Sequence, residues 1–240
     1  MKTVAFILAR RGSKGLPGKN TRIVGGRACI EWSIDAARSA RRVDAVALSS
    51  DDEQALDMAR TLGVEALDRP ADLASDTARV DDALRHGASA YEIRAGTAID
   101  TVVLLYGNVP VRPAGLIDRA IETFEQGGFD SVQSYCDAGK HHPWWTARLD
   151  RVTGAITPWE GDVLNHGVYR RQDLPPACVP DGGVLVIRRK NLLGRHEMPH
   201  AFLGSRVGGV LTRPGEVVDI DNELDAIVAD TILSRSAAVA

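Results

Sequence analysis

The 240-residue chain predicts an α/β fold, a mostly parallel, twisted sheet with helices on both faces, plus a small irregular subregion. Three observations carry that expectation. Short apolar runs alternate with segments of helical period through the first third, in the β-loop-α-β-α-β order of right-handed crossovers. Val4 to Leu8 is apolar throughout, as a strand buried on both faces is. The length suits one domain spanning 1–240, large enough to bury a sizeable core.

Taken in order, Val4 to Leu8 is the first strand. Cys29 to Arg41 carries Ile30, Ile34 and Ala37 at helical spacing. Val43 to Leu48 is a strand ended by Ser49-Ser50-Asp51-Asp52, a cap for a helix that runs to about Leu62 and closes at Gly63. Val64 to Leu67 is a short strand. Arg69 to Ala78 is a loop, and Ser75-Asp76-Thr77 reads as the cap of a helix to about Arg94. Thr101 to Leu105 is another β-branched strand. Ala114 to Gln126 is amphipathic, with Gly127-Gly128 as its stop. Asp130 to Tyr135, Val184 to Ile187 and Ser205 to Leu211 read as strands. A less regular region fills the stretch between the first two of these. Val217 to Asp221 alternates so that Asp219 and Asp221 share one face of a short strand. A helix from Asn222 to Leu233 closes the pattern.

The formal charge is −3, from 29 basic and 32 acidic residues, so no bulk attraction to nucleic acid is expected. Cys29, Cys136 and Cys178 are odd in number, scattered and without a CxxC pair. They read as reduced thiols of a cytoplasmic protein, neither a disulfide frame nor a zinc site. No run approaches the ~20 apolar residues of a membrane span. The N-terminal apolar run is followed by Arg10-Arg11 where a secretory cleavage site would need small residues, so it reads as a strand and no leader is expected.

The chemistry concentrates in Ala9 to Asn20, Ala-Arg-Arg-Gly-Ser-Lys-Gly-Leu-Pro-Gly-Lys-Asn, directly after the first strand. Gly12, Gly15 and Gly18 allow tight turns and close approach, while Arg10, Arg11, Lys14 and Lys19 crowd one loop with cations. Amides and cations at the carboxyl end of a parallel strand suit a polyphosphate. A P-loop is excluded, since Gly12 is one residue too far from Gly18-Lys19 and Asn20 stands where the hydroxyl belongs. The dinucleotide fingerprint is also absent. Asp219 and Asp221, facing together, repel unless a cation lies between them, which points to magnesium beside the phosphate loop.

This loop resembles the signature of the CMP-sugar synthetases, the acylneuraminate cytidylyltransferases and their relatives. The resemblance recurs at Arg69-Pro-Ala-Asp-Leu-Ala-Ser-Asp-Thr-Ala78, at His141-His142-Pro143 and at Asp219-Ile-Asp-Asn-Glu-Leu-Asp225, in the family's order. It implies a Rossmann-like fold, a homodimer, and transfer of a nucleotidyl group from CTP to an acidic sugar with Mg2+ as cofactor. The implied nucleotide contacts are Leu8, Ala9, Arg10, Gly12, Ser13, Lys14, Lys19, Asn20, Arg69, Ser75 and Asp76, with Arg10, Lys19 and Asp221 catalytic. Asp219 and Asp221 would hold the metal. Tyr106, Asn108, Arg112, Lys140, His141, Arg171 and Asp181 are the expected acceptor contacts, the later ones in an acceptor and dimerisation subregion at about 135–200. His141 is also a candidate base, although metal activation of the hydroxyl is the simpler hypothesis.

Departures from the family pattern point to an unusual acceptor. Sialic acid synthetases show Gln-Pro-Thr-Ser-Pro-Leu-Arg and the synthetases for the eight-carbon acid KDO show Gln-Gly-Asp-Glu-Pro where this chain reads Tyr106-Gly-Asn-Val-Pro-Val-Arg112. Val179-Pro-Asp-Gly182 replaces the family's Arg-Pro-Asn-Gly. Two alternatives stay open: a nucleotidyltransferase for another acceptor (a sugar phosphate or phosphonate) or another base, and a non-catalytic nucleotide-binding module.

Overall fold

The computed structural model describes residues 2–12, 14–194 and 197–237. In chain order its strands and helices are β1 Thr3–Leu8, β2 Ile23–Val24, β3 Arg27–Ala28, α1 Cys29–Ser39, β4 Ala45–Ser50, α2 Glu53–Thr61, β5 Glu65–Asp68, α3 Val80–Ala95, β6 Thr101–Tyr106, α4 Leu116–Gly127, β7 Ser131–Asp137, β8 Ala147–Leu149, β9 Ile156–Pro158, β10 Cys178–Arg188, β11 Val207–Thr212 and α5 Glu223–Ala237. Seven strands form one sheet in the order β11-β7-β10-β6-β1-β4-β5. Only β10 runs antiparallel to its neighbours β6 and β7; the other pairings are parallel.

Strand alternation feeds two cores. Ala5 and Ile7 of β1 face α1, α2 and α4, where Ile30, Ile34, Leu56, Ile121 and Phe124 are buried. Val4, Phe6 and Leu8 face the other way onto α3, meeting Leu84, Ala88 and Tyr91. A third, smaller cluster seats α5 on the β2-β3 hairpin through Val24, Cys29, Ala226, Ala229 and Leu233. The mostly parallel sheet with helices on both faces is therefore as expected.

Three local readings are corrected. Ser49 and Ser50 lie inside β4, and Asp52 alone caps α2, accepting from the Gln54 amide at 3.2 Å. Ser75 and Asp76 do not cap α3, whose N-cap is Arg79, its side chain paired with Asp81 and making no capping bond. The Ser75 hydroxyl donates to the Asp72 carbonyl instead, and the Asp76 carboxylate is taken by two cations. Val217 to Asp221 is not a strand: it makes one isolated bridge, Val218 with Val111, and the Ile220 amide donates to the Asn108 carbonyl at 2.9 Å. Its end is drawn into the cap of α5 instead. The Asn222 amide oxygen accepts from the Asp225 backbone, and the Asp225 carboxylate accepts from the Asp221 and Asn222 amides. The hairpins β2-β3 and β8-β9 were not foreseen; their strands of two and three residues are too short to show a period.

Candidate active site

The carboxyl ends of β1 and β6 open into a cleft of about 310 Å³. This is where parallel α/β sheets place ligands. Leu8, Arg10, Lys19, Asn20, Arg69, Ser75, Asp76, Tyr106, Asn108, Asp219 and Asp221 all line it. The basic loop and the two late aspartates thus share one cavity across some two hundred residues of sequence.

The contacts are direct. The Lys19 ammonium donates to Asp221 Oδ1 at 2.7 Å, and its side chain is only 15% exposed. Beneath them, Gly15 rests on the backbone of Asp221. A Cβ on Gly15 would stand 2.4 Å from the Asp221 carbonyl oxygen, so only glycine fits there. On the other side of the loop, Asp76 bridges the Arg10 guanidinium at 3.0 Å and the Lys14 ammonium at 2.9 Å, which holds its carboxyl below the usual range. Three of the loop's cations, Arg10, Lys14 and Lys19, are therefore matched by carboxylates, the charge type a polyphosphate would present.

Asn20 is buried, donates its amide to the Arg10 carbonyl at 2.8 Å, and leaves its own Oδ1 without a partner. A buried acceptor in that state is a site for an incoming donor. Arg69 is also buried and braces β4, donating to the Ser49 hydroxyl at 3.1 Å and the Ser49 carbonyl at 2.5 Å. Burial lowers its guanidinium to about 10.

Asp219 accepts from the Asn108 side-chain amide, which also donates to the Ile220 carbonyl at 3.1 Å. Desolvation and the like charge of Asp221 push the Asp219 carboxyl up to about 6, against the opposing pull of Lys19 and Arg112. Burial and Asp219 raise the Tyr106 phenol as well. Two hard carboxylate donors that repel each other, with an ammonium standing 2.7 Å from one of them, are a donor set that fits a small divalent cation.

Other expected contacts are corrected or lie elsewhere. Ala9 is buried under the loop and donates its amide to the Ser49 carbonyl, so it supports the loop from beneath. Gly12 lies in open space, and Lys14 extends into solvent beside Asp76. Ser13 falls outside the described residues. Arg112 does not face the cleft: its guanidinium is consumed by the Gly183, Tyr106 and Val109 carbonyls and the Ser33 hydroxyl. Asp181 is likewise internal, its carboxylate accepting from Ser134, Thr212 and the Gly183 amide. Lys140 and His141 stand exposed on a turn after β7, outside the cleft lining. Of the histidine pair, His142 is the buried one; its Nδ1 accepts from the Trp144 amide, so Nε2 donates to the Pro175 carbonyl. Arg171 lines a separate cleft with Asp137, His142 and Gln172. The sequence reading missed Arg79, which enters the first cleft while pairing with buried Asp81 at 3.0 Å. An arginine abutting the start of the α3 period was the available signal.

The chain belongs to the cytidylyltransferase family, whose model matches residues 4–145. It is 31% identical over 229 residues to the N-acylneuraminate cytidylyltransferase of Streptococcus agalactiae serotype III, covering 95% of this chain and 52% of that protein. Thus the chain spans about half the length of the first curated relatives it matches. It is also 31% identical to the CMP-N,N'-diacetyllegionaminic acid synthase of Legionella pneumophila, with 97% of each chain covered. A solved CMP:2-keto-3-deoxy-manno-octonic acid synthetase, complexed with CTP, has the same fold, with a TM-score of 0.71 at 16% identity, over 98% of this chain and 100% of that one.

Proposed function

We propose that this chain transfers the cytidylyl group of CTP to a hydroxyl of an acidic sugar and releases pyrophosphate. The acceptor is a nonulosonic acid other than ordinary sialic acid. One observation carries the reading: the glycine-rich cationic loop and the Asp219-Asp221 pair meet at one cleft, through the Lys19–Asp221 contact of 2.7 Å. The full-length similarity to a legionaminic acid synthase supports the acceptor class, and Tyr106 and Val179 at the departures described above support a non-sialic member.

In this mechanism the acceptor hydroxyl gives up its proton to solvent and attacks the α-phosphorus of CTP. The bond from that phosphorus to the bridging oxygen breaks, and pyrophosphate leaves with the electron pair. Arg10 and Lys19 face the negative charge that grows on the leaving group, displacing Asp76 and Asp221 from their present pairings. Arg69, Ser75 and Asn20 are assigned to the nucleoside half, and Tyr106 and Asn108 to the acceptor half. Asp219 and Asp221 would hold Mg2+, which supplies charge neutralisation on phosphate oxygens and a lowered pKa for the attacking hydroxyl. Held this way, the reactants are brought into line.

The segment at about 135–200 is read as the acceptor and dimerisation subregion of one 1–240 domain. Its exposed apolar residues, Leu149, Val152, Ile156, Val163 and Tyr169, are what a second copy would cover. Arg171 then serves an acceptor carboxylate across the dimer. A cytoplasmic setting fits the CTP substrate and the three free cysteines. Among the described residues no helix is long and apolar enough to cross a membrane. The test is pyrophosphate release from CTP and Mg2+ across a panel of acidic sugars. Turnover with a legionaminic-type acid and little with sialic acid is expected; CTP binding without turnover on any acceptor would refute the reading.

A further inference from the structure

The geometry points to Arg112 as a positioning residue, one that fixes the acceptor wall of the cleft without touching substrate. This rests on the acceptor-side assignment of Tyr106 and Asn108 made above. The Arg112 side chain joins three elements. Its Nε donates to the Gly183 carbonyl at 2.6 Å in the irregular part of β10. Its Nη1 donates to the Ser33 hydroxyl of α1 at 2.8 Å and to the Val109 carbonyl, and its Nη2 donates to the Tyr106 carbonyl at 3.0 Å. The Ser33 hydroxyl, fully buried, lies 3.0 Å from the Tyr106 carbonyl and 3.2 Å from that of Val109, so it repeats the same grip from the helix side.

Every acceptor of this guanidinium is uncharged, and two of the four, the Tyr106 and Val109 carbonyls, belong to the 106–112 segment that supplies cleft residues. The 106–112 loop presents Tyr106 and Asn108. Next to the Gly183 anchor, Gly182 faces the same wall: a Cβ there would meet Asp219 Oδ2 at 3.7 Å and the Tyr106 ring at 3.9 Å. A buried arginine used only for hydrogen bonds is costly unless each donor is satisfied. Here the planar fork reaches carbonyls that no strand ladder satisfies, at the one place where β6 gives way to loop. Lysine cannot reproduce it, since one ammonium cannot span a fork's width of acceptors.

The residues assigned to the nucleotide half come from other elements, the 9–20 and 69–79 loops, none of which accepts a hydrogen bond from Arg112. The prediction is therefore a split. In Arg112→Lys and Arg112→Met the KM for the acceptor sugar rises about tenfold or more while that for CTP stays within about twofold. Amide hydrogen exchange speeds up in 106–112 and 181–184 and is unchanged in α2. Ser33→Ala, a smaller change that leaves the fold intact, shows the same split at lower amplitude. A parallel rise of both KM values, uniform acceleration of exchange, or full activity in the lysine variant would overturn the proposal. If the wild type turns over no acidic sugar, the functional reading fails instead, and exchange at 106–112 in the three variants still decides the role of Arg112.

Discussion

Lys19 carries the largest share of the site's logic. Its ammonium is mostly enclosed and already paired with a carboxylate, so its desolvation is matched by an existing contact and the charge faces the cleft. Lys19→Ala is expected to lower kcat/KM for CTP about a hundredfold, or ~2.7 kcal/mol, with the melting temperature little changed. Steady-state pyrophosphate release and a thermal melt check both halves. Asp219 gives a pH prediction of definite sign. Its carboxyl rises from 3.8 to about 6 on folding, so the folded chain binds more protons between these values. Stability from this group is present below pH 4 and lost as pH rises through 6, and Asp219→Asn should flatten that part of a Tm-against-pH curve. Mg2+ added near pH 7 should recover stability in the wild type and not in the variant.

At the scale of elements, the loop is seated on the aspartate segment as well as offering its cations. Gly15 lies against the Asp221 carbonyl, so Gly15→Ala must push the loop off the aspartate. Loss of CTP binding by calorimetry with an unchanged melting temperature is the expected outcome. The core behaves differently: Phe124 of α4 is fully buried beneath the sheet, and Phe124→Ala should cost about 3–5 kcal/mol in urea unfolding without altering the KM for CTP. Most of the elements were legible in the sequence because period and apolar runs report burial directly, as Val4 to Leu8 and Leu116 to Phe124 do. The Val217 to Asp221 segment reads as a strand by its alternation, which signals a pleat only where a neighbouring ladder exists; here the ladder is one bridge, Val218 with Val111. Ser75-Asp76 shows the converse, a local cap motif overridden by the long-range pull of Arg10 and Lys14.

For the molecule as a whole, loop chemistry near residue 10 and carboxylates near residue 220 become one site because β1 and β6 are adjacent and the segment before α5 crosses over the 108–112 loop. The cations and aspartates were readable from their types and their motifs. Arg112 and Asp181 were not, since a sequence does not tell a charged side chain aimed at a ligand from one folded back on its own carbonyls. The exposed hairpin β8-β9 carries the dimer prediction. Deleting 147–158 should shift sedimentation from dimer to monomer while CTP binding persists.

The measurement closest to the central claim is a calorimetric titration of CTP into the wild type and into an Asp219→Asn, Asp221→Asn double variant, each with and without Mg2+. The account predicts that Mg2+ tightens CTP binding by about tenfold or more in the wild type and leaves the double variant unaffected. Equal Mg2+ dependence in both proteins would contradict it.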